Sequence, residues 1–269
     1  MTVTVHPFFE SSSGSFSFVV ANPESKTCAV IDAALGVDDD KQLNTDSADQ
    51  ILDWVEAHDL VVRWVLETHL HADRPSATGY LKSKLLCAQT AIGAHTPDVS
   101  GYDKLLLEGD KICLGHTCGR VLETPGHTPG CLSYQFGDVV FIGDTLFMPD
   151  SGTARCDFPG GSASTLYQSI QRILSMPQNT RLFVCHDYGK SVEGELRRSR
   201  FVTTVAEELE NNVHVGGGAN AEDFVAQRTA RDATLNAPKW ATFSIPANLS
   251  CMNLKAIGGL IQETEVAQH

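Results

Sequence analysis

The chain has 269 residues, is 42% hydrophobic and carries a formal net charge of −13 at pH 7. This length provides enough apolar side chains for one large core, or for a main domain with a helical appendage. The negative charge argues against a nucleic-acid partner, which needs a basic surface, and disfavours an anionic membrane surface. No stretch approaches the roughly 18 consecutive apolar residues of a membrane-spanning helix, so none is expected.

The eight cysteines are irregularly spaced and form no C-x-x-C pair. The first residues lack the basic and apolar regions of a signal peptide and the arginine-rich character of a transit peptide. These features predict a cytoplasmic protein in a reducing compartment, with free and mostly buried thiols.

The first half of the chain is predicted to alternate strands with short helices. Apolar runs rich in β-branched residues mark the strands, and capping residues mark the helix starts. The predicted elements are strands at 14–20 and 27–32, a helix at 48–58 capped by Ser47, a strand at 61–66, a helix opened by Pro75, and strands near 85–88, 111–114 and 119–123.

The second half is predicted to contain two more buried strands and several helices. A helix with one apolar face follows Ser162, and two more surround the flexible Gly216-Gly217-Gly218. The predicted elements are a strand within 138–144, a helix at 163–174, a strand at 182–185, helices at 197–211 and 221–235, and a partly apolar tail.

Potential metal ligands follow four of these strands. Any one of them alone is compatible with a loop residue or a cap, but four recurrences at strand ends predict a shared metal site. Alternate residues on an extended segment point the same way, so the first three share a face. The candidates are His69, His71 and Asp73 after 61–66, His127 after 119–123, Asp144 after the strand within 138–144, and His186 after 182–185.

The order T-H-x-H-x-D at 68–73, T-P-G-H-T at 124–128, G-D at 143–144 and H-D-Y at 186–188 resembles the metallo-β-lactamase superfamily. Segments 143–147, 156–161 and 165–170 look like its persulfide dioxygenases, and 212–215 and 228–235 resemble a long-tailed bacterial branch of that group. The resemblance implies an α+β fold, a four-layer αββα sandwich. Residues 1–195 would form the catalytic domain, and 196–269 a helical extension packed on it.

By resemblance, the metal is one Fe(II) per chain, with zinc as the alternative, bound by His69, His127 and Asp144. Two histidines and one carboxylate leave open positions that suit O₂ activation. The implied reaction converts glutathione persulfide, O₂ and water to sulfite and glutathione, and the family also suggests a homodimer.

The same resemblance suggests roles for the residues around the metal. His71, Asp73 and His186 would hydrogen-bond ligands, water or substrate, and they form the candidate catalytic set together with Arg74. Arg155 and Asp157 would shape the active-site loop. Tyr188, Arg228 and Arg231 are candidates for holding the glutathione carboxylates, with surface arginines and a packed tyrosine as the alternative.

Position 74 departs from the superfamily pattern H-x-H-x-D-H, because it is an arginine. A guanidinium stays protonated and has no lone pair for a metal, so a second metal is disfavoured. This favours a mononuclear dioxygenase over a hydrolase of glutathione thioesters or related esters or lactones. A metal-binding relative without catalysis is a third alternative. Arg74 itself could pair with a surface carboxylate, pair with Asp73 or contact the substrate.

Overall fold

The computed structural model describes residues 3–187, 191–192, 195–196 and 199–266. Its first half contains β1 (Thr4–Glu10), β2 (Ser15–Asn22), β3 (Thr27–Ile31), β4 (Gly36–Val37), β5 (Leu43–Asn44), α1 (Asp46–Ala57), β6 (Val61–Leu66), α2 (Thr78–Lys84), β7 (Gln89–Gly93) and β8 (Lys104–Leu106). Its second half contains β9 (Lys111–Leu114), β10 (Thr117–Glu123), β11 (Leu132–Phe136), β12 (Val139–Gly143), α3 (Ala163–Leu174), β13 (Arg181–Val184), β14 (Ser191–Val192), β15 (Glu195–Leu196), β16 (Val202–Thr204), α4 (Val205–Asn211), α5 (Ala221–Asp232), α6 (Ala241–Leu249) and α7 (Leu254–Val266).

Two main sheets are formed by these strands. The first has the order β1-β2-β3-β6-β7-β8 and the second has the order β16-β13-β12-β11-β10-β9. Strands β3, β6, β7 and β8 run parallel to one another, as do β12 and β13. The carboxyl ends of β6 in one sheet and of β12 and β13 in the other lead into the loops with the candidate ligands.

Successive side chains along each strand point to opposite faces of its sheet, and this explains the layers of helices and sheets. In β3, Cys28 and Val30 pack toward the helices of the first sheet, whereas Ala29 and Ile31 pack between the sheets. In β12, Val140 likewise packs against the helices of the second sheet. The order is therefore helix, sheet, sheet, helix, and the predicted αββα sandwich is confirmed.

The segment after residue 196 contributes to both helix layers. Phe243 of α6 and Ile257 of α7 join the core on the outer face of the first sheet. Phe224 of α5 joins the core on the outer face of the second sheet. In the described part of the chain, no helix combines the length and apolar character needed to cross a membrane.

Helix α3 begins and ends where the sequence predicts, with the Ser162 hydroxyl accepting the Thr165 N–H. Helix α1 begins two residues before the predicted position, and Thr45, not Ser47, occupies its N-cap position. Pro75 does not open α2, which begins at Thr78; the Pro75 carbonyl instead accepts the Leu35 N–H. Neither Thr45 nor Ala77, the residues at the two N-cap positions, makes a side-chain capping hydrogen bond.

Three predicted elements differ more strongly from the structure. Residues 85–88, predicted as a strand, form a turn after α2, and the strand β7 begins only at Gln89. The helix predicted from 197 begins at Val205, because Thr204 and Glu207 form a capping box and 202–204 pair with β13. The apolar tail forms α6 and α7, whose apolar faces pack on the first sheet.

The prediction of eight free thiols is wrong for one pair. Cys113 and Cys118 form a disulfide across the β9–β10 hairpin. They are direct partners in its antiparallel register, which places their side chains on the same face of the sheet. The other cysteines are free, with Cys28, Cys131, Cys156 and Cys185 buried as predicted.

Candidate metal centre

Three side chains from three loops converge at the edge of the two sheets. His69 follows β6, His127 follows β10, and Asp144 directly follows β12. The Nε2 atoms of His69 and His127 lie 3.7 and 3.8 Å from Asp144 Oδ2. All three residues are buried, and their ligand atoms lie within 4.8 Å of one another. We refer to His69, His127 and Asp144 as the cavity triad.

Hydrogen bonds behind the two histidines fix which nitrogen carries the proton. The single hydroxyl proton of Thr68 is donated to Asp32 Oδ2 at 2.8 Å, so Thr68 Oγ1 accepts from His69 Nδ1–H at 2.9 Å. His127 Nδ1–H donates to the Arg155 carbonyl at 2.7 Å. Both Nε2 atoms therefore direct lone pairs toward Asp144, which is how protein surroundings prepare histidines for a metal.

The electrostatics of the cavity triad agree with this assignment. Burial, reinforced by the charges of His71 and other neighbouring histidines, holds the pKa of His69 well below its ordinary value. Burial also lowers the pKa of His127, although Asp144 opposes the effect. Both imidazoles are therefore neutral near pH 7, which is the state that binds a metal.

Two glycines allow these loops to approach closely. Gly143 has φ +51°, and a Cβ there would lie 2.5 Å from Thr68 Oγ1. Gly126 has φ +135°, and a Cβ there would lie 2.3 Å from the backbone of Leu166 in α3. A side chain at either position would move a loop that carries a ligand.

The donor set fits one metal ion. Asp144 Oδ1 is buried and accepts no hydrogen bond from a described residue, which is costly for a carboxylate unless a cation balances it. Two neutral imidazoles and one carboxylate match the ligands of non-haem iron and of zinc. His69, His127 and Asp144 are therefore the residues that would hold the metal.

His71, two residues after His69, has different surroundings. Its Nε2 lies 3.2 Å from Asp32 Oδ1 and 3.3 Å from Glu67 Oε2. Burial and the nearby Arg74 charge would lower its pKa, but the hydrogen bonds to Asp32 and Glu67 outweigh them and raise the pKa of His71 to about 9. His71 is therefore an imidazolium whose Nε2–H donates to Asp32, with the Glu67 carboxylate beside it.

Arg74 lies behind the site and is only 1% exposed. Its Nη1 and Nη2 donate to the carbonyls of Ala33 and Asp32 at 3.1 and 2.9 Å. Nη2 also lies 3.2 Å from His71 Nε2. Since both groups are cations, the negative charges of Asp32 and Glu67 offset their repulsion. We refer to Asp32, Glu67, His71 and Arg74 as the buried quartet.

The position of Arg74 does not match a surface ion pair or a substrate contact, and its interaction with Asp73 is one of charge without a hydrogen bond. In the part of the chain that the structure describes, no surface carboxylate forms an ion pair with this buried guanidinium. Its guanidinium donates to backbone carbonyls rather than to the Asp73 carboxylate, and among the described residues it is not part of the cavity wall. The sequence could not show this, because Asp32 and Ala33 are brought to Arg74 by β3 from forty residues away.

Asp73 and His186 lie between the cavity triad and the buried quartet. His186 Nε2 is 3.4 Å from Asp73 Oδ2 and 3.8 Å from Asp144 Oδ1. Burial alone would raise the pKa of Asp73, but the charges of His186 and Arg74 outweigh it and lower the pKa. The Asp73 side chain is 31% exposed, so an ionised carboxylate faces the cavity beside Asp144.

A cavity of about 370 Å³ opens onto the cavity triad. It is lined on one side by the ligand loops and on the other by α5 and the segment that follows it. Aromatic rings and arginines share the wall, which suits a substrate with both apolar and anionic parts. The lining residues include His69, Asp73, His127, Asp144, Phe147, Thr153, Arg155, Phe158, Arg228, Arg231, Leu235 and Pro238.

The three candidate arginines have different surroundings. Arg155 donates to both oxygens of Asp157, at 2.6 and 2.5 Å, and to the Asn236 carbonyl, so this pair braces the cavity rim. Arg228 is buried and donates to Asp232 and to the Thr153 carbonyl. Arg231 is exposed, lines the cavity, and donates to no described residue. Tyr188, the remaining candidate, lies outside the described residues.

Three residues of this region, Asp32, Glu67 and Asn248, are not among the candidates predicted from the sequence. Asp32 and Glu67 directly follow β3 and β6, so the strand-end signal that identified the ligands applied to them as well. Asn248 contacts the loop after His69 through its side-chain amide. No local signal identifies Asn248, because it lies on α6 and meets the loop only after folding.

Comparison with known proteins places this site in a family. The family model described as the metallo-beta-lactamase superfamily matches residues 13–186. A probable metallo-hydrolase of Burkholderia pseudomallei is 42% identical over 92% of this chain and 92% of that protein. Glyoxylase B2 of Dictyostelium discoideum is 39% identical over 92% of this chain and 89% of that protein.

Persulfide dioxygenases are similar at lower identity. The mitochondrial persulfide dioxygenase ETHE1 of Mus musculus is 29% identical over 93% of this chain and 89% of that protein. The crystal structure of ETHE1 from Myxococcus xanthus superposes with a TM-score of 0.79 at 30% identity, covering 93% of this chain and 99% of that chain. The matched family model, the relatives at 42% and 39% identity and the αββα sandwich together show that the chain belongs to the metallo-β-lactamase superfamily.

Proposed function

We propose that the protein is a mononuclear non-haem Fe(II) dioxygenase that oxidises glutathione persulfide with O₂ to sulfite and glutathione, a reaction of sulfide detoxification. The observation that carries the proposal is the buried guanidinium of Arg74. It stands where the superfamily pattern has a ligand of a second metal. A fixed positive charge without a lone pair favours one divalent cation over two.

The cavity triad would hold that cation. Bound there, Fe(II) would supply redox chemistry and open coordination positions, which suit the activation of O₂. In the balanced reaction, one persulfide, one O₂ and one water give one glutathione and one sulfurous acid, which ionises to sulfite. The outer sulfur loses four electrons and O₂ gains the same four.

The side chains of the cavity would bind and orient the reactants. The ionised carboxylate of Asp73 faces the cavity and can accept a hydrogen bond from the water that the reaction consumes. The ring of Phe158 packs edge-on against His127 at 5.2 Å between centroids and shields the ligand from solvent. Arg231 offers a guanidinium that donates to no described residue, and it can bind a substrate carboxylate through two hydrogen bonds.

A metal-dependent hydrolase of glutathione thioesters or related esters is the second candidate. Relatives at 42% and 39% identity are named as a probable metallo-hydrolase and a glyoxylase. Asp73 and His186 next to Asp144 are also two of the residues that a second metal would use. This candidate predicts thiol release from S-lactoylglutathione without consumption of oxygen.

Metal analysis of anaerobically purified protein, combined with an oxygen electrode, tests the proposal. We expect about one iron per chain, and one O₂ consumed and one sulfite formed per glutathione persulfide. Zinc at about two per chain, with thioester hydrolysis and no oxygen uptake, would overturn the proposal in favour of the hydrolase. Bound metal with neither activity would identify a metal-binding relative that has lost catalysis.

A further inference from the structure

Asn248, in the last turn of α6, reaches across to the loop that carries the first ligand. The residue is 3% exposed. Its Nδ2 donates to the carbonyls of His71 and Arg74 at 2.8 and 2.9 Å, and its Oδ1 accepts the Ser76 N–H at 2.7 Å. One side chain therefore satisfies three buried backbone groups of the loop 71–76.

The chemistry of these contacts requires an amide. Two carbonyl oxygens need donors and one N–H needs an acceptor, and a carboxamide offers both from a single planar group. A carboxylate could accept from Ser76 but would place an oxygen against two carbonyl oxygens. An apolar residue would leave all three backbone groups buried without partners, which is costly.

Asn248 is itself held rigidly. Its own carbonyl accepts the Tyr102 hydroxyl at 3.0 Å, and the Ser100 N–H donates to the neighbouring Leu249 carbonyl at 2.7 Å. The turn after α6 lies so close to α2 that a Cβ on Gly79 would be 2.1 Å from the Met252 carbonyl oxygen. These contacts therefore fix the position of the backbone that carries the Asn248 amide.

We propose that Asn248 is a positioning residue of the metal centre. Its amide fixes the loop 71–76, and through it the direction of His69 and the place of Asp73 beside the cavity triad. Helix α6 then contributes to the geometry of the metal site. This inference rests on the metal site of the proposed function, but on neither the substrate nor the identity of the metal.

Metal binding by Asn248→Ala and Asn248→Asp tests the proposal. Zn(II) affinity is measured by chelator competition on metal-free protein, and the visible spectrum of the Co(II)-loaded protein reports ligand geometry. Both variants are expected to bind Zn(II) about 10- to 100-fold more weakly, the usual effect of losing a group that supports a metal ligand. We also expect the Co(II) bands to shift.

Ser244→Ala is the matched control. Ser244 lies one turn earlier in α6, is fully buried, and its hydroxyl contacts no described polar group. We expect its Zn(II) affinity and Co(II) spectrum to be unchanged. The proposal is overturned if a folded Asn248 variant binds Zn(II) normally, or if Ser244→Ala loses affinity equally. Because metal binding is measured directly, failure of persulfide oxidation is a separate result.

Discussion

His69 and His71 are separated by one residue, yet they have opposite protonation behaviour. Burial and neighbouring positive charges hold the pKa of His69 well below its ordinary value. Against burial, the carboxylates of Asp32 and Glu67 raise the pKa of His71 to about 9. Spacing along the loop makes the two residues look like equal ligands. The groups that β3 and β6 bring behind the loop leave the His69 imidazole neutral, the state that a metal ligand requires, and make His71 a cation.

The cavity triad and the buried quartet also differ in how their charges are balanced. The quartet contains two carboxylates and two cations, so its charges balance within the protein. Asp32, Glu67 and His71 have the geometry of a metal site, but the Arg74 cation already supplies the positive charge there. The cavity triad has one carboxylate and two neutral imidazoles, so it gains from an added cation. Under the proposed function, Arg74 therefore favours binding of a single metal at the triad.

Removing one member of the cavity triad should have the largest effect. In His127→Ala, we expect iron affinity to fall more than about 100-fold, since one of three protein ligands is lost. Iron content after anaerobic loading and desalting measures this. His95→Ala, at an exposed histidine paired with Glu123, should retain its iron. Normal iron content in His127→Ala would show that the metal lies elsewhere.

Replacing Arg74, one of the two cations of the quartet, should change the number of metal ions bound per chain. In Arg74→His, a lone pair replaces a fixed charge, so zinc content at saturation should rise from about one to about two per chain. Iron binding by the cavity triad should persist. Arg74→Lys keeps the charge and should remain at one zinc. Loss of iron in Arg74→His would mean that Arg74 supports the triad directly.

Neutralising a carboxylate of the quartet should destabilise the metal-free protein. Breaking a buried ion pair costs about 3–5 kcal/mol, and we expect a loss of this order in Asp32→Asn by denaturant unfolding. Asp138→Asn, at an exposed pair with Arg181, should cost less than about 1 kcal/mol. An unchanged free energy of unfolding in Asp32→Asn would contradict the role of the quartet.

The same variant should change how stability depends on pH. The folded-state pKa of His71 is raised from 6.5 to about 9. Its stabilisation is therefore complete below pH 6.5 and is lost as the pH rises through 9. Asp32→Asn should reduce this loss, and the NMR titration of His71 should move to lower pH in the metal-free variant.

The pKa of Glu208, a buried carboxyl group outside the quartet, is shifted in the opposite direction to the pKa of Asp32. It is fully buried in α4, accepts from Asn212 at 2.6 Å, and its pKa is raised by burial from 4.5 to about 7. Hydrogen bonds from Asn212 and Thr203 and the charge of Arg200 lower it only in part, and the charge of Glu207 raises it. By contrast, the pKa of Asp32 is lowered despite its burial, because His71 and Arg74 lie beside it.

Glu208→Gln should accordingly stabilise the protein at alkaline pH, with the smallest effect of this set. A raised carboxyl pKa means that stability falls as the pH rises from about 4.5 to 7, by at most about 3 kcal/mol. The variant should lack this fall in unfolding experiments at pH 5 and pH 8. The exposed Glu210→Gln should keep it, and an identical pH profile for both variants would refute the burial effect.

The sequence by itself determined the features that depend on residues close to one another in the chain. The Ser162 cap and the apolar periodicity defined α3, because both signals lie within one helix. The positions of His69, His127 and Asp144 just after predicted strands indicated a common site, because potential metal ligands recurred at several strand ends, and the structure brings these three together. The family motifs then indicated the αββα sandwich.

The tertiary structure alone decided what surrounds those residues. The role of His71 depends on Asp32, and the place of Arg74 depends on backbone carbonyls of β3's loop, which lie far away in the chain. The Asn248 amide reaches the ligand loop from a helix more than 170 residues later. Charge balance and hydrogen bonding in a buried site depend on distance in space, so no pattern along the chain could specify them.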